Sequence, residues 1–248
     1  MLDLEYLKQQ YFTFDKPIPF KSFNIYPVML EQYYDFMYCH DILDIDKNSI
    51  SDVKVIKMTY LEFLIALLEE SELVQYKLST ILEVCLRIDL NTVEVKICDN
   101  NKLYINGELI NSKDFDELRK IILYQNIATY SDEYIDPDIK NMQERYNRII
   151  NKNKEQIEPP TLEDLMVSLI AEIGYTMEYV TGLSYRKFYL LLKKVEDKID
   201  YKILKSAEMS GNVTFKEPIE HWIYKKKKDK FANAFARSTT EDIAKKTK

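Results

Sequence analysis

Two histidines, His40 and His221, are the chain's whole supply of the side chain that most readily moves protons near neutral pH. His40 stands in Tyr38-Cys39-His40-Asp41, inside a stretch that reads as helix, and His221 stands beside Trp222, the single tryptophan. Cys39 and His40 cannot form a nucleophile and its base, because neighbours on a helix point about 100° apart. Both histidines read as structural. Asp44-x-Asp46-x-Asn48 opens like a calcium loop of the EF-hand kind, but Ser49 and Val55 stand where that loop needs glycine and glutamate. Glu69, Glu70 and Glu72 crowd into one turn, whereas a catalytic carboxylate pair has to face across a cleft. They read as a solvated face. No G-x-S-x-G, H-E-x-x-H or kinase-like signature occurs. The residues therefore predict a protein that is not an enzyme and that holds no metal and no cofactor.

Phosphate chemistry is disfavoured by glycine. There are four, Gly107, Gly174, Gly182 and Gly211, and no two lie close enough for a phosphate-cradling loop. Residues 173–192 look superficially like a helix-turn-helix, with Arg186 and Lys187 near the start of the second helix. The chain as a whole carries 41 acids against 35 bases, a net charge of −6, which repels a phosphate backbone. Nucleic acid is thus a disfavoured partner. The charge is uneven: residues 1–120 hold 21 acids and 13 bases, while residues 219–248 hold 4 acids and 9 bases. Lys225, Lys226, Lys227 and Lys228 form a run that reads by default as a solvated tail, and otherwise as a contact for nucleic acid or an acidic partner.

The elements that position these residues follow from periodicity and caps. Residues 23–28, FNIYPV, read as an edge strand because Pro27 has no N–H to donate. Residues 29–45 carry apolar side chains at Met29, Leu30, Tyr33, Tyr34, Met37 and Tyr38, the spacing of one amphipathic helix. Thr59 and Glu62 form a capping box for a helical pattern that runs to about Ile88, with a break near 69–71. Residues 93–97 alternate as a strand. Asn106-Gly107 between two short apolar runs, 102–105 and 108–110, marks a two-residue hairpin. Ser112 then caps a helix. Residues 138–151 read as an exposed helix within a polar stretch. Thr161 with Asp164 opens a helix closed by Gly174, a further turn or two spans 176–181, and Ser184 caps a long helix to about Ser210. Val213–Phe215 reads as a short strand.

These elements predict an α+β protein, predominantly helical. Its expected parts are an α+β unit over 1–130 with a small antiparallel sheet, a polar linker over 131–160, a helical unit over 161–224 and a basic tail over 225–248. Three sparse cysteines, Cys39, Cys85 and Cys98, form no disulfide framework and predict a reducing compartment. The N-terminal residues lack a signal peptide, and no apolar run approaches the roughly 20 residues that span a bilayer. The expectation is a cytoplasmic protein that does not associate with membranes. Nineteen tyrosines include Tyr33, Tyr34, Tyr38, Tyr179, Tyr185 and Tyr189 on expected helices, where an aromatic ring with a polar tip suits a protein interface. An AT-rich coding sequence is the larger cause of that abundance.

Four stretches read together carry a resemblance: YFTFDKPIPFKSFNIYPV at 11–28, MTYLEFLIALL at 58–68, TLEDLMVSLIAEIGYTMEYVTGLSYRKFYLLLKKV at 161–195 and YKILKSAEMSGNVTFKEPIEHW at 201–222. Their order and apolar pattern resemble tail assembly chaperones from the tail-morphogenesis modules of phages and prophages of low-GC Gram-positive bacteria. The resemblance implies a non-enzymatic protein of the infected host's cytoplasm. It would coat the tape-measure protein, or another tail protein, while the tail is built, and then leave. Such chaperones are often made in two lengths by frameshifting, which gives the lysine run a second reading as an A-rich coding stretch. The candidate partner-binding residues are Tyr179, Tyr185, Tyr189, Trp222 and Lys225–Lys228, and homo-oligomerisation stays open. The rival readings are a virion component, such as a tail connector or baseplate protein, and a nucleic-acid-binding regulator.

Overall fold

Local signals set most of the element boundaries in the computed structural model, which describes residues 3–45, 53–88, 95–98, 102–132, 145, 158–211, 213, 215 and 218–224. The chain divides into two compact units, Met1–Asp132 with Thr161–Val195, and Glu133–Pro160 with Glu196–Lys248.

In the first unit, Asp3 caps α1 (Leu4–Gln10) by accepting the Tyr6 N–H at 2.9 Å. Strands β1 (Ile18–Phe20) and β2 (Phe23–Ile25) pair antiparallel, with Ile18 opposite Ile25 and Phe20 opposite Phe23. The strand expected over 23–28 is confined to 23–25 and ends before Pro27. Its partner contains Pro19, which a two-stranded ribbon tolerates because both strands are edges. Residues 29–45 correct the expectation of one helix. They fold as a 3-10 turn (Leu30–Gln32), α2 (Tyr33–Cys39) and a second 3-10 turn (His40–Ile42). The start is drawn out of helical geometry because Met29 is extended and the Leu30 N–H donates to the Leu183 carbonyl at 2.9 Å.

After α3 (Val53–Lys57), the Thr59 capping box forms as expected: the Thr59 N–H reaches Glu62 Oε2 at 2.6 Å and the Glu62 N–H reaches Thr59 Oγ1 at 3.2 Å. It opens α4 (Tyr60–Glu70). Ser71, in extended conformation, makes the break before α5 (Glu72–Leu86). Strands β3 (Val95–Cys98), β4 (Lys102–Ile105) and β5 (Glu108–Ile110) form a three-stranded antiparallel sheet in that order. Its tight turn places Asn106 at φ 49° and Gly107 at φ 78°, the positive pair that a type I′ hairpin demands. The helix α6 (Ser112–Asn126) is capped by Asn111 rather than Ser112: its Oδ1 accepts the N–H groups of Lys113 and Asp114 at 2.9 and 3.0 Å.

One apolar core joins Phe36 and Cys39 of α2, Leu61, Leu64 and Leu68 of α4, Ile81, Leu82 and Cys85 of α5, the inward side of β4–β5, and Phe115, Leu118 and Ile122 of α6. A second, smaller core gathers Leu30, Leu169, Val180, Leu183 and Phe188. It is built by α7 (Leu162–Ile173), α8 (Met177–Thr181) and the start of α9 (Tyr185–Met209), and Tyr185 packs against both cores. Of α9, residues 196–209 belong to the second unit.

In the second unit, Gly211 takes φ 73° just past the end of α9, and His221 lies beside Tyr201. Val213 and Phe215 are not in a strand. Of the helix expected over 138–151, Arg145 is helical and exposed, and the other residues lie outside the described ones, as do Val93 and Glu94 of the expected strand and the tail 225–248. The architecture is the expected predominantly helical α+β class with small antiparallel sheets. No helix among the described residues is long and apolar enough to cross a membrane.

Candidate partner-binding surface

The segment 161–181 begins with a second capping box. The Thr161 N–H donates to Asp164 Oδ2 at 2.9 Å, and Thr161 Oγ1 accepts the Asp164 N–H at 3.1 Å. Glu163 and Asp164 add negative charge where the helix dipole favours it. The hydrogen bonds from Thr161 hold the Asp164 carboxyl below its ordinary value. Helical spacing then divides α7 into two sides. Leu162, Leu165, Met166, Leu169, Ile170 and Ile173 turn into the smaller core, while Glu163, Asp164, Val167, Ser168, Ala171 and Glu172 face outward. Gly174 ends the helix at φ 78°, a left-handed cap that suits glycine. Thr176 caps α8 by accepting the Tyr179 N–H at 3.2 Å. Only Val180 of this short helix is buried. Tyr175, Met177 and Tyr179 therefore stand at the surface, with the rings of Tyr175 and Tyr179 4.6 Å apart. Val167 is half exposed as well.

The expected partner-binding residues separate. Tyr179 is exposed as expected. Tyr185 is half-buried, its ring 5.0 Å from Tyr33 and 6.5 Å from Phe36, and burial pushes its hydroxyl up to about 12. Tyr189 is half-buried on α9. Trp222 belongs to the second unit, where the His221 ring lies 5.6 Å from Trp222, 5.0 Å from Tyr201 and 6.4 Å from Tyr224. Lys225–Lys228 lie outside the described residues.

The bases of the helix-turn-helix-like stretch are engaged inside the first unit. Arg186 donates to the Tyr124 carbonyl at 2.8 Å and lies over the Phe12 ring. Lys187 pairs with Asp15 at 2.9 Å. The same Asp15 accepts from the buried Ser184 hydroxyl at 2.9 Å, and Ser184 Oγ in turn accepts the Lys187 N–H at 3.3 Å. Ser184 thus caps α9 as expected, and it ties the helix start to the N-terminal region.

The residues weighed for chemistry are held in structural settings. His40 Nδ1 lies 2.9 Å from the Met37 carbonyl and the ring stacks on Phe36. Cys39 and Cys85 are buried free thiols, both pushed up by burial. Glu69, Glu70 and Glu72 are exposed around the α4–α5 break. Asp46, Asn48 and Ser49 lie outside the described residues. Among the described residues no group of three or more His, Cys, Asp or Glu side chains could hold a metal ion.

A polar cluster carries no signal in the sequence. Arg119, on α6, is 2% exposed. Its Nη1 donates to the Leu43 carbonyl at 3.1 Å and to the Tyr130 hydroxyl at 3.2 Å; its Nη2 donates to Asp116 at 3.1 Å and Asp132 at 3.2 Å. The guanidinium sits 3.7 Å from the centre of the Tyr60 ring. Lys120 pairs with the same two carboxylates at 2.8 and 3.0 Å. Two cations are matched to two anions, so the cluster is a neutral knot that holds α6, the turn at Leu43 and residues 130–132 together.

No curated protein and no solved structure matches the chain. The family model of the YomV second domain matches residues 151–227, less than half of the chain. That stretch contains α7, α8, α9 and the aromatic group around His221, and the match suggests a protein of phage or prophage type.

Proposed function

We propose that the chain is a non-enzymatic phage tail assembly chaperone that binds the tape-measure protein while the tail is built. The observation that carries the reading is the exposed apolar and tyrosine side of 161–181, which lies within the stretch matched by the YomV model. A chaperone works by covering apolar stripes of its client reversibly, and the exposed Val167, Tyr175, Met177 and Tyr179 suit that task. A patch of a few hundred Å² at about 25 cal/mol per Å², less the cost of ordering both partners, gives binding that can be undone. The engagement of Arg186 and Lys187 inside the unit favours this reading over a nucleic-acid-binding regulator.

Mass spectrometry of purified particles and of the infected-cell lysate tests the proposal. The expected result is abundant peptides of this chain in the lysate, recovery with the tape-measure protein in a pull-down, and absence from particles. Stoichiometric presence in particles would overturn it in favour of a tail connector or baseplate component.

A further inference from the structure

Residues 161–181 contain four acids, Glu163, Asp164, Glu172 and Glu178, and not one Lys, Arg or His. The same stretch holds the exposed apolar side chains of α7 and α8. The four acids, Val167, Tyr175 and Tyr179 are all exposed, while Leu162, Leu165, Leu169 and Val180 of the same helices are committed to the smaller core.

We propose that the outward side of α7–α8, with Val167, Tyr175 and Tyr179 rimmed by Glu163, Asp164 and Glu178, docks a basic amphipathic helix of the partner, an apolar stripe flanked by Lys or Arg. The inference narrows the partner of the proposed chaperone and takes from that reading only the partner's identity as a tail protein. The occupant's chemistry follows from complementarity. An apolar stripe at helical spacing buries against Val167 and the paired Tyr175–Tyr179 rings. Flanking cations meet a rim of one sign, which steers the approach and penalises an acidic helix of equal hydrophobicity. A second copy of this segment is a poor occupant, because it would place four acids against four acids.

The test titrates the full chain with two synthetic helical peptides that share one leucine stripe, one flanked by Lys and the other by Glu, followed by fluorescence anisotropy. The Lys peptide is expected to bind at least roughly tenfold more tightly, and to weaken severalfold as salt rises from about 50 to 300 mM. Any cation is drawn to a chain of net charge −6, so the decisive variant keeps every charge. Val167→Ser with Tyr179→Ser is expected to weaken the Lys peptide roughly tenfold. Glu163→Lys with Glu178→Lys is expected to do the same, whereas Glu69→Lys with Glu70→Lys, an equal change of charge on α4, leaves affinity within about twofold. All these positions are exposed, so the Val167/Tyr179 and Glu69/Glu70 variants are expected to melt near wild type, while the Glu163/Glu178 variant, which reverses charges in the first turns of α7 and α8, is expected to melt a few degrees lower and still fold. Equal binding of the two peptides, or undiminished binding by the Val167/Tyr179 variant, overturns the inference. So does light scattering that shows a dimer which this variant breaks. Particle mass spectrometry decides the chaperone reading separately: a chain built into particles that still selects the Lys peptide overturns that reading alone.

Discussion

Replacing Arg119 by Met asks how much the buried polar knot contributes. Methionine fills much of the arginine's volume but returns none of its four hydrogen bonds. The Leu43 carbonyl loses its donor, at about 1–3 kcal/mol for a buried acceptor left unmet. The stacked Tyr60 loses a desolvated cation, about 1–2 kcal/mol. Asp116 and Asp132 keep Lys120 and are 36% and 27% exposed, so water screens what remains of their charge. The sum falls near the lower end of the 3–5 kcal/mol typical of a broken buried pair, about 3 kcal/mol. Urea unfolding of the full chain, followed by circular dichroism, measures it. Arg119→Lys restores the charge but not the fork, and is expected to recover less than half of the loss. Acid adds a second arm. Burial alone would raise the Asp132 carboxyl, but the Lys120 hydrogen bond, the Arg119 charge and the Tyr130 hydroxyl hold it below its ordinary value. Such a group stabilises the fold above its unfolded value, about pH 4, and loses that contribution as pH falls through the folded one. The gap between wild type and Arg119→Met therefore narrows below about pH 4. A Met variant within about 0.5 kcal/mol of wild type, or a Lys variant equal to wild type, refutes the reasoning.

Ser184→Ala removes the α9 cap and the hydroxyl that bridges to Asp15, and thermal melts are expected to show a loss of about 1–2 kcal/mol. Gly174→Ala meets open space but forces a Cβ at φ 78°, so a cost of about 1 kcal/mol comes from backbone conformation alone and reads out in the same melts. Because burial holds Tyr185 up to about 12, the unfolded chain ionises first on alkalinisation. Its contribution is intact below about pH 10 and is lost as pH rises toward 12, a decline that Tyr185→Phe reduces in a pH series of urea midpoints.

What the sequence reveals is what the chain decides locally. Thr59 with Glu62, Thr161 with Asp164, Asn106-Gly107 and Gly174 all act within a few residues of themselves, and each does what its chemistry dictates. At α6, Asn111 and Ser112 are both good caps, and Asp114 decides between them: its carboxylate accepts the Asn111 N–H at 3.2 Å and completes a capping box, whereas Ser112 has Phe115 at that offset. Distant contacts leave no such trace. Pro19 hides β1, and the Leu183 carbonyl takes the Leu30 N–H out of the helix expected over 29–45. Arg119 sits on an amphipathic helix, where arginine normally means surface; its burial depends on Leu43, Tyr60 and Asp132, none of them near in sequence. Tyr179 and Tyr185 are the same residue six positions apart. Only the arrival of Tyr33 and Phe36 puts one in the core and leaves the other as a candidate contact. Of the candidate surface, residue type and spacing single out Tyr179 alone; they miss Val167, Tyr175 and Met177, because nothing in those types says that they stay exposed.

The backbone pairing of residues 28–30 with 183–185 also fixes an order of events at the ribosome. The Leu30 N–H and the Val28 carbonyl find their partners, Leu183 and Tyr185, only after more than 150 further residues have been made. At about 5–20 residues per second, translation takes on the order of ten seconds to supply them. Throughout that time Leu30 lacks the core formed with Leu169, Val180 and Phe188. The first unit is therefore completed late in synthesis, and a nascent chain stalled before residue 183 exposes the apolar surface that the finished protein has put away.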